Sequence, residues 1–197
     1  MFVSSSVYYS RYMDYILTNA PWEHREKKNV HHFESGRMIS NRKNLKKIYD
    51  VVFIGTMSKA NRKEIVDFLK NNNIKVEDFG LGSNNGILNS KQYFDTINKA
   101  KICLRLSSRN FKKDINQLRL DPQSVDRKFQ SVQLRDYFSC GAFVLLEKMR
   151  VYKKFVNSKH FVFFNNKKDL LKKVKYFLKN NSDRKVISNN AYKLFLN

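Results

Sequence analysis

Tyr49-Asp50-Val51-Val52-Phe53-Ile54-Gly55 is the stretch on which the fold turns. An uninterrupted apolar run ends in glycine. It is too short for a helix and consists of β-branched and aromatic side chains. It therefore reads as a strand covered on both faces, the situation of a parallel sheet. Downstream, residues 61–69 place Ile65, Phe68 and Leu69 at helical spacing and stop at Asn71, Asn72 and Asn73. Residues 74–79 read as a second strand closed by Gly80 and Gly82. Ser90 is the expected N-cap of a helix with Tyr93, Phe94 and Ile97 on one face. Residues 101–106 read as a third strand. Residues 107–126 are polar and without period, a length that in a compact domain usually signals function or mobility. Residues 127–141 read as a helix ending at Gly141 and residues 142–146 as a strand. Residues 151–155 read as one helical turn and residues 160–164 as the last strand. Two helices, 167–179 and 183–196, close the chain.

Strands thus alternate with helices at least four times. That order predicts an α/β fold, a Rossmann-like parallel sheet with helices on both faces. Ligands of such sheets bind at the carboxyl ends of the strands, near the point where strand order reverses. The loops after Gly55, Gly80, Leu106 and Glu147, and the helix start near Arg127, are the places to look.

Upstream of Tyr49 the pattern fades. Asp14-Tyr15-Ile16-Leu17-Thr18-Asn19 reads as one short strand. The rest of residues 1–48 is polar and basic and cannot bury a core alone. The expected organisation is an N-terminal appendage over 1–48 and a Rossmann-like domain over 49–197. The 197 residues suffice for one ordinary domain plus that appendage.

Composition narrows the classes. Hydrophobic residues make up 42% of the chain, with 16 Phe and 10 Tyr against only 6 Gly and 2 Pro, which excludes a disordered or fibrous protein. Lys and Arg number 39 against 17 acids, a net charge of +22. Such an excess attracts nucleic acid, anionic membranes or phosphorylated small molecules. The basic residues are scattered, however, and the abundance of Lys, Asn, Phe, Tyr and Ile is equally what an AT-rich genome produces. Cys103 and Cys140 lie in apolar runs and are expected as buried thiols of a reducing compartment. His24, His31, His32 and His160 lack metal-ligand spacing, so no metal site is expected. No apolar run reaches the ~20 residues that span a bilayer, and the first residues lack the apolar core of a signal peptide. A cytoplasmic protein is expected.

Three clusters carry residues suited to chemistry. At Gly55-Thr56, with Ser58, Lys59 and Arg62 beyond, a glycine lets backbone N–H groups approach a phosphate and the basic side chains suit a diphosphate. A plain structural turn explains the same glycine. Within Arg127-Lys128 to Gly141, Asp136 suits the hydroxyls of a ribose, and Arg127 and Arg135 suit a diphosphate. An exposed Arg135–Asp136 pair on an ordinary helix is the alternative. The segment Gly80-Leu81-Gly82-Ser83-Asn84-Asn85-Gly86 is either a plain surface loop or one that closes over a ligand.

Taken in order, these blocks resemble the donor-binding C-terminal domain of GT-B glycosyltransferases, especially the spore-maturation-type (CgeB-like) group. The blocks are residues 49–55 with Arg62; Phe79-Gly80-Leu81-Gly82; Tyr93 ahead of Lys101-Ile102-Cys103-Leu104; residues 136–145 with Glu147; Phe155; and Asp169-Leu170-Leu171 with Arg184. Residues 14–19 are similar to the last strand of that family's N-terminal domain. The resemblance implies that Asp136, five residues before Gly141 and one methylene shorter than the usual Glu, binds the nucleotide ribose. It implies that the loop from Gly55 to Arg62 faces the diphosphate and that Ser139-Cys140-Gly141 helps hold the nucleotide. Departures are visible. Lys128 stands where many relatives have an acid for the donor sugar, Gln133-Leu134-Arg135-Asp136 replaces an Arg-x-Phe-Glu signature, and the acceptor domain is almost wholly absent.

The leading expectation is therefore transfer of a sugar from a UDP- or GDP-linked donor to an acceptor the sequence does not name. No metal or other cofactor is expected, because cationic side chains and helix N-termini stabilise the departing diphosphate. Arg62 or Lys59, with Arg127 or Arg135, are the candidates for that role. Two other readings stand beside it. One is a non-catalytic or split half needing a partner chain that carries the acceptor domain. The other is a basic nucleic-acid-binding module, against which the aromatic residues fall at core positions of strands and helices.

Overall fold

The computed structural model describes residues 16–18, 30–32, 40–59, 61–106, 132–148 and 157–196. The chain divides into two compact units, Met1–Ile39 and Ser40–Asn197. In the first unit β1 (Ile16–Thr18) pairs in parallel with β2 (Val30–His32). The first of these strands is the one expected. The second has no apolar run long enough to announce it.

The second unit is built on a five-stranded sheet of β3 (Tyr49–Ile54), β4 (Val76–Phe79), β5 (Ala100–Arg105), β6 (Val144–Glu147) and β7 (Val162–Phe164). Every pairing is parallel and the order is β4-β3-β5-β6-β7. Successive strand residues point to opposite faces, and two hydrophobic cores result. Val51, Phe53, Ile102, Leu104 and Leu145 pack with α1 (Arg62–Asn71) and α4 (Lys167–Lys179) through Ile65, Leu69, Leu170, Val174 and Phe177. Val52, Ile54, Cys103, Val144 and Leu146 pack with α2 (Ser90–Lys99), α3 (Val132–Ser139) and α5 (Asn181–Leu196) through Ile97, Leu134, Phe138 and Ala191. Full burial on both faces is why the stretches 51–54, 102–104 and 144–146 carry no polar alternation.

Three local details differ from expectation. The N-cap of α2 is Asn89, not Ser90: Asn89 Oδ1 accepts from the Gln92 amide at 2.9 Å and the Gln92 side chain accepts from the Asn89 amide at 3.0 Å. This reciprocal pair satisfies two donors where a lone serine satisfies one. Helix α5 begins at Asn181, ahead of Asp183. The unit boundary falls before Ser40, because residues 40–48 bind to the sheet domain. The Asn41 amide donates to the Ser139 carbonyl at 3.0 Å, the Lys43 amide to Asn98 Oδ1 at 2.8 Å, and the Ile48 amide to the Lys99 carbonyl at 2.9 Å. These are backbone donors, invisible to a hydrophobic pattern. The expected turn at 151–155 and the polar stretch 107–126 lie outside the described residues.

Candidate functional site

The chain leaves β3 through α1 to reach β4 on one side, then returns through α2 to β5 on the other. Strand order reverses between β3 and β5, and their carboxyl ends, Gly55 and Leu106, frame the crevice where such folds bind ligands.

Gly55 and Gly80 meet there. The Gly55 amide donates to the Phe79 carbonyl at 2.8 Å. A Cβ on Gly80, whose φ is +120°, would stand 2.5 Å from the Gly55 carbonyl oxygen. The loops after β3 and β4 therefore cross in backbone contact, which glycine alone permits. The segment from Gly80 to Gly86 is closed on itself. The Gly80 amide donates to the Gly86 carbonyl at 2.7 Å, and Ser83 Oγ donates to the Gly80 carbonyl at 2.7 Å. Asp78 accepts from the Asn84 amide at 2.9 Å and from Lys70 at 2.5 Å. Burial pushes the Asp78 carboxyl up, but these hydrogen bonds outweigh it and hold it below the usual carboxylate range. Gly82 borders Met57, with φ +75°. Of the two readings of this segment, its internal bonding favours the plain, preformed surface loop.

Arg62 is buried rather than extended into solvent. It donates through Nη1 to the Thr56 carbonyl at 2.8 Å and through Nη2 to the Leu106 carbonyl at 3.3 Å, and it lies over the Phe53 ring. Its guanidinium brackets the loops after β3 and β5. Arg105 Nη1 donates to the same Leu106 carbonyl. Burial lowers the pKa of both arginines, and Arg105 lowers that of Arg62 further. Two desolvated cations thus stand together at the switch point, with Glu147 at the end of β6 the acid that favours their charge.

Helix α3 covers the other side of the crevice. Gln133 Nε2 donates to the Ile54 carbonyl at 2.7 Å, fixing the start of the helix beside Gly55. One turn on, Asp136 accepts from the Tyr93 hydroxyl of α2 at 2.9 Å. Burial raises the Asp136 carboxyl pKa, and the Tyr93 bond offsets only part of that. The neighbouring Tyr137 hydroxyl is wholly buried and has no hydrogen-bond partner. Burial raises its pKa too, while Arg105 and Arg62 pull it down.

Gly55, Thr56, Arg62, Gly80 and Asp136 are therefore brought round one crevice, and Gly82 and Arg135 flank it on its loop and helix. Ser139 and Gly141 are not brought there. They sit at the opposite end of α3, where Ser139 Oγ donates to the Asp136 carbonyl at 2.8 Å and Gly141, at φ +63°, turns the chain into β6. Arg127 lies outside the described residues. Arg105 and Gln133 were missed. A charge near the end of the apolar run Ile102-Cys103-Leu104-Arg105-Leu106 was the available signal for the first. Gln133 carries none, because its bond to Ile54 is made only by packing.

Among the described residues no helix is long and apolar enough to cross a membrane, and no group of His, Cys, Asp and Glu is placed to hold a metal ion. Cys103 and Cys140 are free, buried thiols, with burial pushing their pKa up to about 12 and about 11.

No curated protein sequence matches the chain. Solved structures do. TarM superposes with a TM-score of 0.67 at 11% identity, over 98% of this chain and 42% of TarM. An S. aureus TarM variant solved with fondaparinux, alpha-GlcNAc-glycerol and UDP gives 0.65 at 10% identity, over 95% and 41%. The GtfA/B complex gives 0.53 at 8% identity, over 97% and 46%. The chain thus spans less than half the length of each, and its parallel sheet with flanking helices matches the C-terminal half of a GT-B fold. A family model described as glycosyl transferase-like matches residues 59–197. With that match covering most of the sheet domain, the chain belongs to the glycosyl transferase-like family.

Proposed function

We propose that this chain is the donor-binding half of a glycosyltransferase of the spore-maturation type, taking a UDP- or GDP-linked sugar at the β3–β5 switch point. The observation that carries this reading is Asp136. It is a half-buried carboxylate one turn from the Gln133 side chain that ties α3 to the Ile54 carbonyl beside Gly55. A carboxylate so placed accepts both hydroxyls of a ribose whose diphosphate lies over Gly55 and Thr56. The desolvated Arg62 and Arg105 supply positive field toward the departing diphosphate, the electrostatic stabilisation on which metal-independent transfer depends. Arg62 acts through the loops it brackets, with Lys59 and Arg135 the further candidate cations; Arg127, expected in the same role from the sequence, lies outside the described residues. Ser139 and Gly141 support the helix from its far end.

The acceptor site belongs to a second component. The chain covers about two-fifths of TarM, and among similar folds stand the GtfA/B complex and the accessory secretory proteins 1, 2 and 3 of Streptococcus pneumoniae, at a TM-score of 0.51. A partner chain or a second domain completing the transferase accounts for both. The reading places the protein in the cytoplasm, where nucleotide sugars are made.

Calorimetry of the full chain with UDP and with GDP tests the donor site. Binding in the micromolar-to-millimolar range is expected, and folded protein that gives no heat with either refutes it. Transfer to candidate acceptors, assayed with and without the product of a neighbouring gene, tests the second component. Turnover by the lone chain removes the need for one.

A further inference from the structure

Tyr93 belongs to α2, 43 residues before Asp136 and on a different helix, yet its hydroxyl is committed to a single atom, Asp136 Oδ2, at 2.9 Å. Its ring is held from the side by Phe94, with centroids 5.2 Å apart in an edge-to-face arrangement. Among the described residues no other side chain donates to the Asp136 carboxylate, and the hydroxyl of Tyr137, the next residue of α3, has no hydrogen-bond partner there.

An ionised carboxylate offers about four acceptor positions on its two oxygens. Tyr93 uses one, on Oδ2. Both lone pairs of Oδ1 and the second of Oδ2 remain, enough for the two donors a ribose presents with its 2′ and 3′ hydroxyls. An aspartate has one methylene fewer than a glutamate, so it reaches less far and has little freedom to search for its ligand. Its position then decides whether it meets the ribose at all, and a carboxylate already held in the bound geometry loses little entropy on binding.

We infer that Tyr93 is a positioning residue for nucleotide recognition: its hydroxyl fixes the Asp136 carboxylate so that the unused acceptor positions face the ribose of the donor. This rests on the donor-site reading above and adds to it the residue that sets the geometry. The bond has a second consequence. It favours the ionised form of Asp136 against the burial that disfavours it, and the ionised form accepts more strongly from hydroxyls than the protonated one. The Arg105 guanidinium of β5 bears on Tyr93 and Tyr137, and the groups that bear on this carboxylate include Tyr93 from α2 and Tyr137 and Cys140 from its own helix and the turn after it. All three are neutral at ordinary pH, since burial raises the pKa of each. Removing the Tyr93 hydroxyl therefore moves the acid limb of ribonucleotide binding to higher pH.

The test is calorimetric titration of the full chain with UDP, 2′-deoxyuridine diphosphate and inorganic pyrophosphate, from mildly acid to neutral buffer. The proteins are wild type, Tyr93→Phe and Tyr93→His, with circular dichroism to verify the fold. Tyr93→Phe is expected to weaken UDP roughly tenfold, the loss of one hydrogen bond to a charged group. It shifts the acid limb upward, shrinks the difference between UDP and its 2′-deoxy analogue, and leaves pyrophosphate unchanged. Tyr93→His keeps a donor on a ring and is expected to retain much of the UDP affinity; it also serves if the phenylalanine variant does not fold. If wild type binds none of the nucleotides, the donor-site reading fails and this inference with it. If wild type binds UDP and Tyr93→Phe changes neither affinity nor acid limb, Tyr93 is not a positioning residue and the donor site stands. Equal loss of UDP and pyrophosphate also overturns the assignment, because it marks a general disturbance of the crevice.

Discussion

The two ends of α3 are built from the same eight-residue helix and solve opposite problems. At its carboxyl end the chain meets its own needs. The Ser139 carbonyl accepts from the Asn41 amide at 3.0 Å, and Ser139 Oγ lies between the Asp136 carbonyl at 2.8 Å and Asn41 Nδ2 at 3.4 Å. Arg42 lies beside Gly141, over the Tyr192 ring at 4.8 Å, with Nη2 donating to Asn189 at 2.8 Å. At the amino end, α3 faces two desolvated arginines on one carbonyl, a carboxylate whose burial disfavours its charge, and a buried hydroxyl with no partner. Burying charge costs free energy unless it is compensated. Perturbed groups gather at functional sites, and structural networks perturb them too. On the proposed reading, one end of the helix is structure and the other is site.

Substitutions at the two ends should separate along that line. The largest effect is expected at the crossing of the loops. In Gly80→Ala the new Cβ meets backbone atoms of Gly55 at 2.5 and 2.8 Å, and backbone cannot swing aside as a side chain does. A loss of about 3 kcal/mol or more in urea unfolding is expected. A loss under about 1 kcal/mol would show that the loops have room to part.

Arg62→Leu comes next. It strips the Thr56 carbonyl of its donor and leaves Leu106 with Arg105 alone. About 2 kcal/mol of stability should go, and UDP affinity should fall with it. Unchanged affinity would show that the bracket on the loops does not shape the crevice.

Gly141→Ala tests the structural end. The φ of +63° strains any L side chain, but the contact is with Arg42 Cδ and Nε at 3.1 Å, a side chain able to give. About 1 kcal/mol is expected, with nucleotide affinity intact. Loss of affinity would break the division between the two ends.

The smallest change in stability, and one of opposite sign, is expected from Asp136→Asn. Because the folded carboxyl holds its proton above the ordinary range, its contribution is fully present below the unfolded pKa and is lost as pH rises through the folded one. At neutral pH the ionised group is a net cost. The amide, still able to accept from Tyr93, should leave the chain more stable by about 0.5 kcal/mol at most, with the gain vanishing in acid. UDP binding should be lost. A variant that binds UDP normally would remove Asp136 from the site.

Much of this was legible beforehand. The run from Val51 to Ile54 and its counterparts from Ile102 to Leu104 and from Val144 to Leu146 required burial on both faces, and a parallel sheet is the arrangement that provides it. Leu170, Val174 and Phe177 marked α4 by their spacing. Asp136 was legible through resemblance, and Gly55 and Gly80 through the ends of their strands. Ser139 and Gly141 were grouped with the crevice through the same resemblance. A helix running antiparallel to its strands instead carries them to the opposite edge of the sheet. Gln133, Arg105 and the attachment of residues 40–48 were not legible. Each is a polar side chain or backbone group whose partner is far away in the chain, and polarity alone names no partner.

The amino-acid sequence by itself determined the parallel α/β architecture, since hydrophobic period and length are local properties that each segment carries with it. Only the tertiary structure decided that Arg62 brackets two loops, that Tyr93 donates to Asp136, and that the two ends of α3 lie in different surroundings. Hydrogen bonds between distant segments depend on distance and direction, and these exist only once the helices have packed against the sheet.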